Sequence, residues 1–337
     1  MNILVIFTGG TISSSVSNGY ISPDGANCYR LIDEYKKYHE ADSNDINFKT
    51  AKPYYILSEN INGEHINKLA DCMDEAISDS ELDGIIVTHG TDTLQYTAAA
   101  LSYIYPDLQI PVVLVSSNYI LDDKRANGMA NFSAAIDFIT DCSKHHGNFH
   151  HGVYVAYKNE NEAATIHYGT RLLPHAPYSD KIYSLDNIVY KSSLHRSSDD
   201  VSLNQTKTDA CLSMHPRFTK ASPVMYIRPV PGQQYSYVPD YVSAILLDSY
   251  HSGTLCTDDE SFKNMLLAAT KRKIPIFLTG AENRTGYEST RIYKDLSILV
   301  LPKASPVSMY MKLWLLLSSS CNQISDCMNT PICYDIM

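Results

Sequence analysis

The stretch GIIVTHGTDTLQ, residues 84–95, decides the fold. Ile85, Ile86 and Val87 form a short unbroken β-branched run, the pattern of a parallel strand covered on both faces. The run stops in a cluster of hydroxyls with one histidine and one carboxylate. There Gly90 permits a tight turn, and Thr91 or Asp92 can cap the helix that follows in LQYTAAALSYIY. The order is strand, loop, helix. In open α/β sheets ligands bind in the crevice beyond the carboxyl ends of the strands, so this hydroxyl-rich loop is a site candidate. His89 reads as a packing residue.

The same alternation runs outward along the chain. ILVIF (3–7) leads into a Gly-rich loop, IPVVLVS (110–116) into MANFSAAIDFITDC, and GVYVAY (152–157) into a polar segment. Strands alternating with helical stretches predict a parallel sheet with crossover helices. Periodicity fails from about Lys191 to Ser222, a stretch rich in Ser, Thr, Asp and Lys, and then resumes. VMYIRPVPG and YVSAILLDSY read as strand regions, DESFKNMLLAATKRK as a helix and IPIFLTG as a strand. SPVSMYMKLWLLLSS reads as a closing helix with Ser305 as N-cap and Pro306 as its first residue. The expected fold class is α/β: a large N-terminal domain with a mainly parallel sheet (1–195), a linker (196–222), a smaller C-terminal α/β domain (223–320) and a tail (321–337).

A length of 337 residues fits two domains, and 44% hydrophobic with 19% charged residues is ordinary globular composition. The net charge of -10 and the lack of a Lys/Arg-rich run argue against nucleic-acid binding. No window approaches the roughly 18 apolar residues of a membrane span. MNILVIFTGG lacks a basic n-region and reads as the first strand. Eight cysteines without a CxxC pair fit a reduced, cytoplasmic setting. Cys321, Cys327 and Cys333 recur at one spacing, but a metal there would need a fourth ligand, so they read as free thiols. The 25 tyrosines read as amphipathic packing.

A second loop, FTGGTISS (7–14), ends the first strand with paired glycines that let backbone approach a ligand and turn N–H groups toward an oxyanion. Threonine is a poor nucleophile at its free pKa and needs a base or relay nearby. TGGTI (8–12) together with HGTDT (89–93) resembles the L-asparaginase family, which covers the type I and type II enzymes and the glutaminase subunit of archaeal Glu-tRNA amidotransferase. The resemblance spans nearly the whole chain: LSEN (57–60) sits where the family binds substrate, and YHSGT (250–254) and KLWLLL (312–317) are similar to its second domain. SEN and NGYISP lean toward the type I or amidotransferase-subunit branch. The extension that precedes the motif in that subunit is not seen here, which weighs against the tRNA-linked role.

The resemblance implies that Thr11 is the nucleophile on a side-chain amide, with Tyr20, in SSSVSNGY, relaying its proton and closing the site. Thr91 would supply a hydroxyl to the reacting amide or activate water. Asp92 and Glu59 would bind the substrate α-ammonium and Ser58 its α-carboxylate. It implies no metal and no cofactor, a small amino acid or asparagine-containing peptide as substrate, and a homodimer or homotetramer. Two departures stand out. Aligning on Gly169 puts Pro174 where the family has a lysine beside the motif's Thr and Asp, and proline supplies neither charge nor donor. Lys158 or Lys181 could serve instead, the Thr11 and Tyr20 half could work alone, or the chain could have kept only a binding pocket. Asn127 stands for a family Asp, keeping shape and losing charge. Glu282 and Glu288 are groups that could reach a neighbouring subunit. The leading expectation is an amidohydrolase on asparagine or an asparagine-like amide. Its rivals are a silent amino-acid-binding homologue and a glutaminase feeding ammonia to a partner enzyme.

Overall fold

The computed structural model describes residues 1–17, 19–23, 28–39, 45–78, 81–144, 152–185, 189–190, 212, 215–235, 237–281 and 286–337. The chain divides into two compact units, Met1–Leu203 and Asn204–Met337. The division falls inside the expected linker 196–222, most of which lies outside the described residues.

The first unit is a seven-stranded sheet. Its strands are β1 (Asn2–Phe7), β4 (Asn47–Ala51), β5 (Gly84–Thr88), β6 (Val112–Val115), β7 (Val153–Lys158), β8 (Ala164–Tyr168) and β9 (Val189–Tyr190). Their order is β4-β1-β5-β6-β7-β8-β9, parallel from β4 to β7 and antiparallel for the last two pairings. A hairpin, β2 (Ser14–Ser17) with β3 (Tyr20–Pro23), stands apart from this sheet. The helices are α1 (Arg30–Tyr38), α2 (Gly63–Ile77), α3 (Leu94–Ile104) and α4 (Gly128–Lys144).

Ile85, Ile86 and Val87 are fully buried, as a continuous β-branched run in a central parallel strand requires. One face of the sheet packs Ile3, Val5, Ile86 and Val113 against Leu31 and Tyr35 of α1 and Phe132 and Ile139 of α4. α3 is buried almost all round, the mark of a core helix rather than an amphipathic one. The register sets Phe7 beside Thr88 and Thr88 beside Val115, so β1, β5 and β6 end level with one another. That alignment brings their outgoing loops together.

The second unit holds a parallel four-stranded sheet in the order β10-β11-β12-β13, built from Val224–Ile227, Ala244–Asp248, Ile276–Thr279 and Ile298–Val300. Its helices are α5 (Glu260–Lys271), α6 (Pro306–Ser318) and α7 (Ile324–Asn329). Ser305 and Pro306 open α6 as the sequence predicts. Residues 321–337 are packed: Lys312 Nζ, fully buried, donates to Asp335 Oδ2 at 2.8 Å and to the Thr330 carbonyl at 2.6 Å. The seven described cysteines form no disulfide, although the Cys321 and Cys327 sulfurs lie 3.6 Å apart. Among the described residues no helix is long and apolar enough to cross a membrane.

Candidate active site

The site forms where three loops meet at the carboxyl end of the first sheet. After β1 the chain passes through Gly9 and Gly10 at φ 110° and 80°, a left-handed region that favours glycine, into the tight turn Thr11–Ser13. Gly10 N–H donates to the Ile56 carbonyl at 3.2 Å, and Ile56 N–H donates to the Thr8 carbonyl at 3.0 Å. Those two bonds lay residues 55–57 along the first loop and deliver Ser58, which is buried. Tyr55 completes the clasp, its hydroxyl donating to the Ser13 carbonyl at 2.5 Å.

The loop after β5 closes on both. A Cβ on Gly10 would lie 2.4 Å from the Gly90 nitrogen, and a Cβ on Gly90 would lie 2.4 Å from Ser58 Oγ. Only glycine fits at position 10, where backbone already occupies the space, whereas at position 90 a Cβ would have to displace the Ser58 side chain. Thr8 Oγ1 donates to the Thr88 carbonyl at 2.6 Å and Thr93 Oγ1 to the Ser58 carbonyl at 2.9 Å, so hydroxyls tie each loop to another.

The N-cap of α3 is Thr93, where the sequence points to Thr91 or Asp92, and no side chain caps that end. Thr93 makes no side-chain cap because its hydroxyl is spent on the Ser58 carbonyl, and Gln95 Nε2 donates to the Asp92 backbone carbonyl at 3.2 Å. Thr91 and Asp92 precede the cap.

Thr11 and Thr91 are partly buried, while Asp92 and Glu59 are exposed and Ser58 is buried between the loops. Tyr20 lies on the hairpin at 78% exposure. Its strand is tied to its partner by the Val16 and Ile21 pairing, so the tyrosine is carried by a two-stranded arm rather than by a plain loop. Pro174 is exposed, just beyond Leu173, whose N–H donates to the Tyr183 carbonyl at 2.9 Å. Lys158 ends β7 and Lys181 lies in a segment held to that strand's carboxyl end, and both are exposed. The bonds at Asn127 are those of a shape-keeping amide: its Oδ1 accepts from Asn118 N–H at 3.0 Å and its Nδ2 donates to the Lys158 carbonyl at 3.0 Å.

His89 does more than pack. It is fully buried, its backbone N–H donates to the Val115 carbonyl at 2.8 Å, and its Nδ1 lies 2.8 Å from the Gly90 carbonyl oxygen. Burial lowers its pKa to about 4, so the ring is neutral and Nδ1 carries the proton it gives to Gly90. No sequence signal marks this bond, since a buried histidine beside a glycine reads as filler.

Glu288 is exposed, 3.8 Å from Arg291, and Glu282 lies outside the described residues. The second unit has a cavity of about 780 Å³, lined in part by His251, Tyr287, Arg291 and Lys294, which includes none of the candidate residues. Among the described residues no cluster of three or more His, Cys, Asp or Glu is placed to hold a metal.

The family model described as Asparaginase, N-terminal, matches residues 2–184. The D subunit of glutamyl-tRNA(Gln) amidotransferase from Methanosphaera stadtmanae is 28% identical over 93% of this chain and 71% of its own length. Its counterpart from Methanopyrus kandleri is 34% identical over 42% of this chain and 30% of its own length. Several of the matched segments thus span half or less of the relatives. In fold the chain resembles the thermostable L-asparaginase from Thermococcus kodakarensis, with TM-score 0.75, 23% identity and coverage of 100% and 99% of the two chains. L-asparaginase I from Vibrio cholerae gives 0.70 and 19% at the same coverage.

Proposed function

Because this chain belongs to the asparaginase family, we propose that it is an amidohydrolase acting on the side-chain amide of asparagine or an asparagine-like substrate. Thr11 Oγ1 attacks the amide carbon while its proton passes to the Tyr20 hydroxyl and on to the leaving nitrogen. Ammonia departs, leaving an acyl-threonine. Water then adds to the acyl carbon, the ester bond breaks, and the acid and Thr11 are released. The covalent intermediate divides one difficult hydrolysis into two easier steps.

Thr91 supplies a hydroxyl to the reacting amide or activates the water. Asp92 and Glu59 take the substrate α-ammonium, and Ser58 takes its α-carboxylate. The observation that carries the reading is the convergence of Gly10, Ser58 and Gly90, which sets the two threonine loops beside one another. Tyr20 takes part by a swing of the β2–β3 arm toward Thr11, a lid motion of the kind that excludes water. We place the enzyme in the cytoplasm as a homodimer or homotetramer.

The names of the curated relatives favour a second reading, a glutaminase that supplies ammonia to a partner enzyme. One methylene is worth only about 1–3 kcal/mol of discrimination, so the same pocket chemistry serves either amide. Pro174 favours a third, a homologue that binds an amino acid without turnover.

Ammonia release from asparagine, glutamine and short asparagine-containing peptides separates the three, with Thr11→Val as control. Turnover that Thr11→Val abolishes supports the threonine amidohydrolase. A preference for glutamine that rises when a partner is added supports the second reading. No turnover from any substrate, with none restored by Pro174→Lys, leaves the binding protein.

A further inference from the structure

We propose that His89 is a positioning residue that sets the plane of the Gly90–Thr91 peptide and so aims the Thr91 N–H at the substrate. The proposal rests on the amidohydrolase reading and names a group that reading does not use.

The argument starts from the bond between His89 Nδ1 and the Gly90 carbonyl oxygen, 2.8 Å long and wholly buried. The peptide is trans, so the Gly90 carbonyl and the Thr91 N–H point in opposite directions. A carbonyl held toward the buried ring therefore turns the Thr91 N–H away from the core, to the side where Thr91 and the exposed Asp92 lie. A glycine at position 90 has no Cβ to hold that plane, and one hydrogen bond to its carbonyl is the restraint that replaces it.

The backbone that carries the ring is held in place. Its own backbone N–H is fixed to Val115, and the Gly10 backbone lies so close that a Cβ there would sit 2.6 Å from the His89 carbonyl carbon. Nε2 has no partner among the described residues, which fits the tautomer protonated on Nδ1: a spare acceptor is tolerated more readily than a spare donor. A fixed N–H beside the reacting threonines is a preorganised dipole, the type of group that stabilises charge developing on an amide oxygen.

Two substitutions separate the hydrogen bond from the filling of space. Asparagine at this position offers an Nδ2–H close to where Nδ1–H lies, whereas leucine offers bulk without a donor. In full-length protein, His89→Leu is expected to lower kcat by roughly 10- to 100-fold, with KM and the Kd for aspartate within about twofold of wild type. His89→Asn is expected to keep most of kcat despite a lower melting temperature. Nitrogen-15 spectra of the wild-type ring should show the Nδ1–H tautomer. An Nε2–H tautomer, or a kcat in His89→Asn as low as in His89→Leu, overturns the proposal. Should His89→Leu fail to fold, the asparagine variant and the tautomer decide. Should wild type release no ammonia from any amide, the amidohydrolase reading falls by itself, and the proposal is then judged on the tautomer and on whether the Thr91 amide resonance stays unmoved in His89→Asn.

Discussion

Gly10 and Gly90 meet backbone to backbone, so closely that a Cβ on the first would fall 2.4 Å from the nitrogen of the second. They are 80 residues apart in sequence, and their contact joins the two threonine loops. Gly10 also holds φ at 80°. Gly10→Ala therefore combines backbone strain with a collision that no side-chain rotation relieves, and is expected to cost about 2 kcal/mol or more of stability. Thermal unfolding measures that cost, and ammonia release should fall to background in whatever folded protein remains.

Gly90→Ala is a different experiment. Its Cβ would meet the Ser58 side chain, 2.4 Å from Oγ, rather than backbone. Ser58 is expected to be pushed aside, so KM should rise more than kcat falls, and Ser58→Ala should partly restore the fold's stability in the double variant. Steady-state kinetics and melting curves on the three proteins check both statements.

Asp92 and Glu59 are exposed, so neither carries the cost of a buried unpaired carboxylate. Asp92→Asn and Glu59→Gln are expected to leave the fold untouched and to raise KM for an α-amino substrate, by about 1.5–3 kcal/mol of lost charged hydrogen bonding at most. The check is competition with a substrate analogue lacking the α-amino group, for which the two substitutions should make little difference.

Burial lowers both His89 and His167 from 6.5 to about 4. Between these values the unfolded chain binds protons that the folded chain refuses, so stability rises with pH from about 4 to 6.5 and is lost as pH falls through that window. Each histidine is worth on the order of 3 kcal/mol across it. Denaturant unfolding at a series of pH values should show the slope, and a His167→Gln variant should show a shallower one. Tautomer spectra of both rings should be flat from about pH 5 upward.

In the second unit the Lys312–Asp335 pair is buried on both sides, and Asp335 Oδ1 also accepts from the Ile332 N–H at 2.8 Å. Lys312→Met strands a buried carboxylate and is expected to cost about 3–5 kcal/mol. Changing both residues to apolar ones of similar volume should cost far less. A double-mutant cycle by chemical denaturation measures the difference.

Much of the fold was legible in residue order. Ile85–Val87, Val112–Val115 and Ala244–Leu247 announce parallel strands because β-branched and aliphatic runs fit a surface covered on both sides. Ser305–Pro306 announces a helix start because proline's missing N–H costs nothing there. The cap of α3 was not legible, since Thr91, Asp92 and Thr93 are equally suited to it and the Thr93 hydroxyl is spent on Ser58, 35 residues away. The β2–β3 arm was not legible either, because SSSVSNGY has no alternation strong enough to separate a hairpin from a loop.

By itself the sequence determined which chemistry could be present: two threonine loops at strand ends, an acid in each of two neighbouring segments, and a proline where a lysine is expected. Those are properties of residue type and local order. Only the tertiary structure decided which groups meet. The register of β1 on β5 sets Phe7 beside Thr88 and so places Gly10 against Gly90, and the bonds of Ile56 to Gly10 and Thr8 bring Ser58 up to Gly90. Such contacts are fixed by close packing between segments remote in the chain, and no local pattern of residues encodes them.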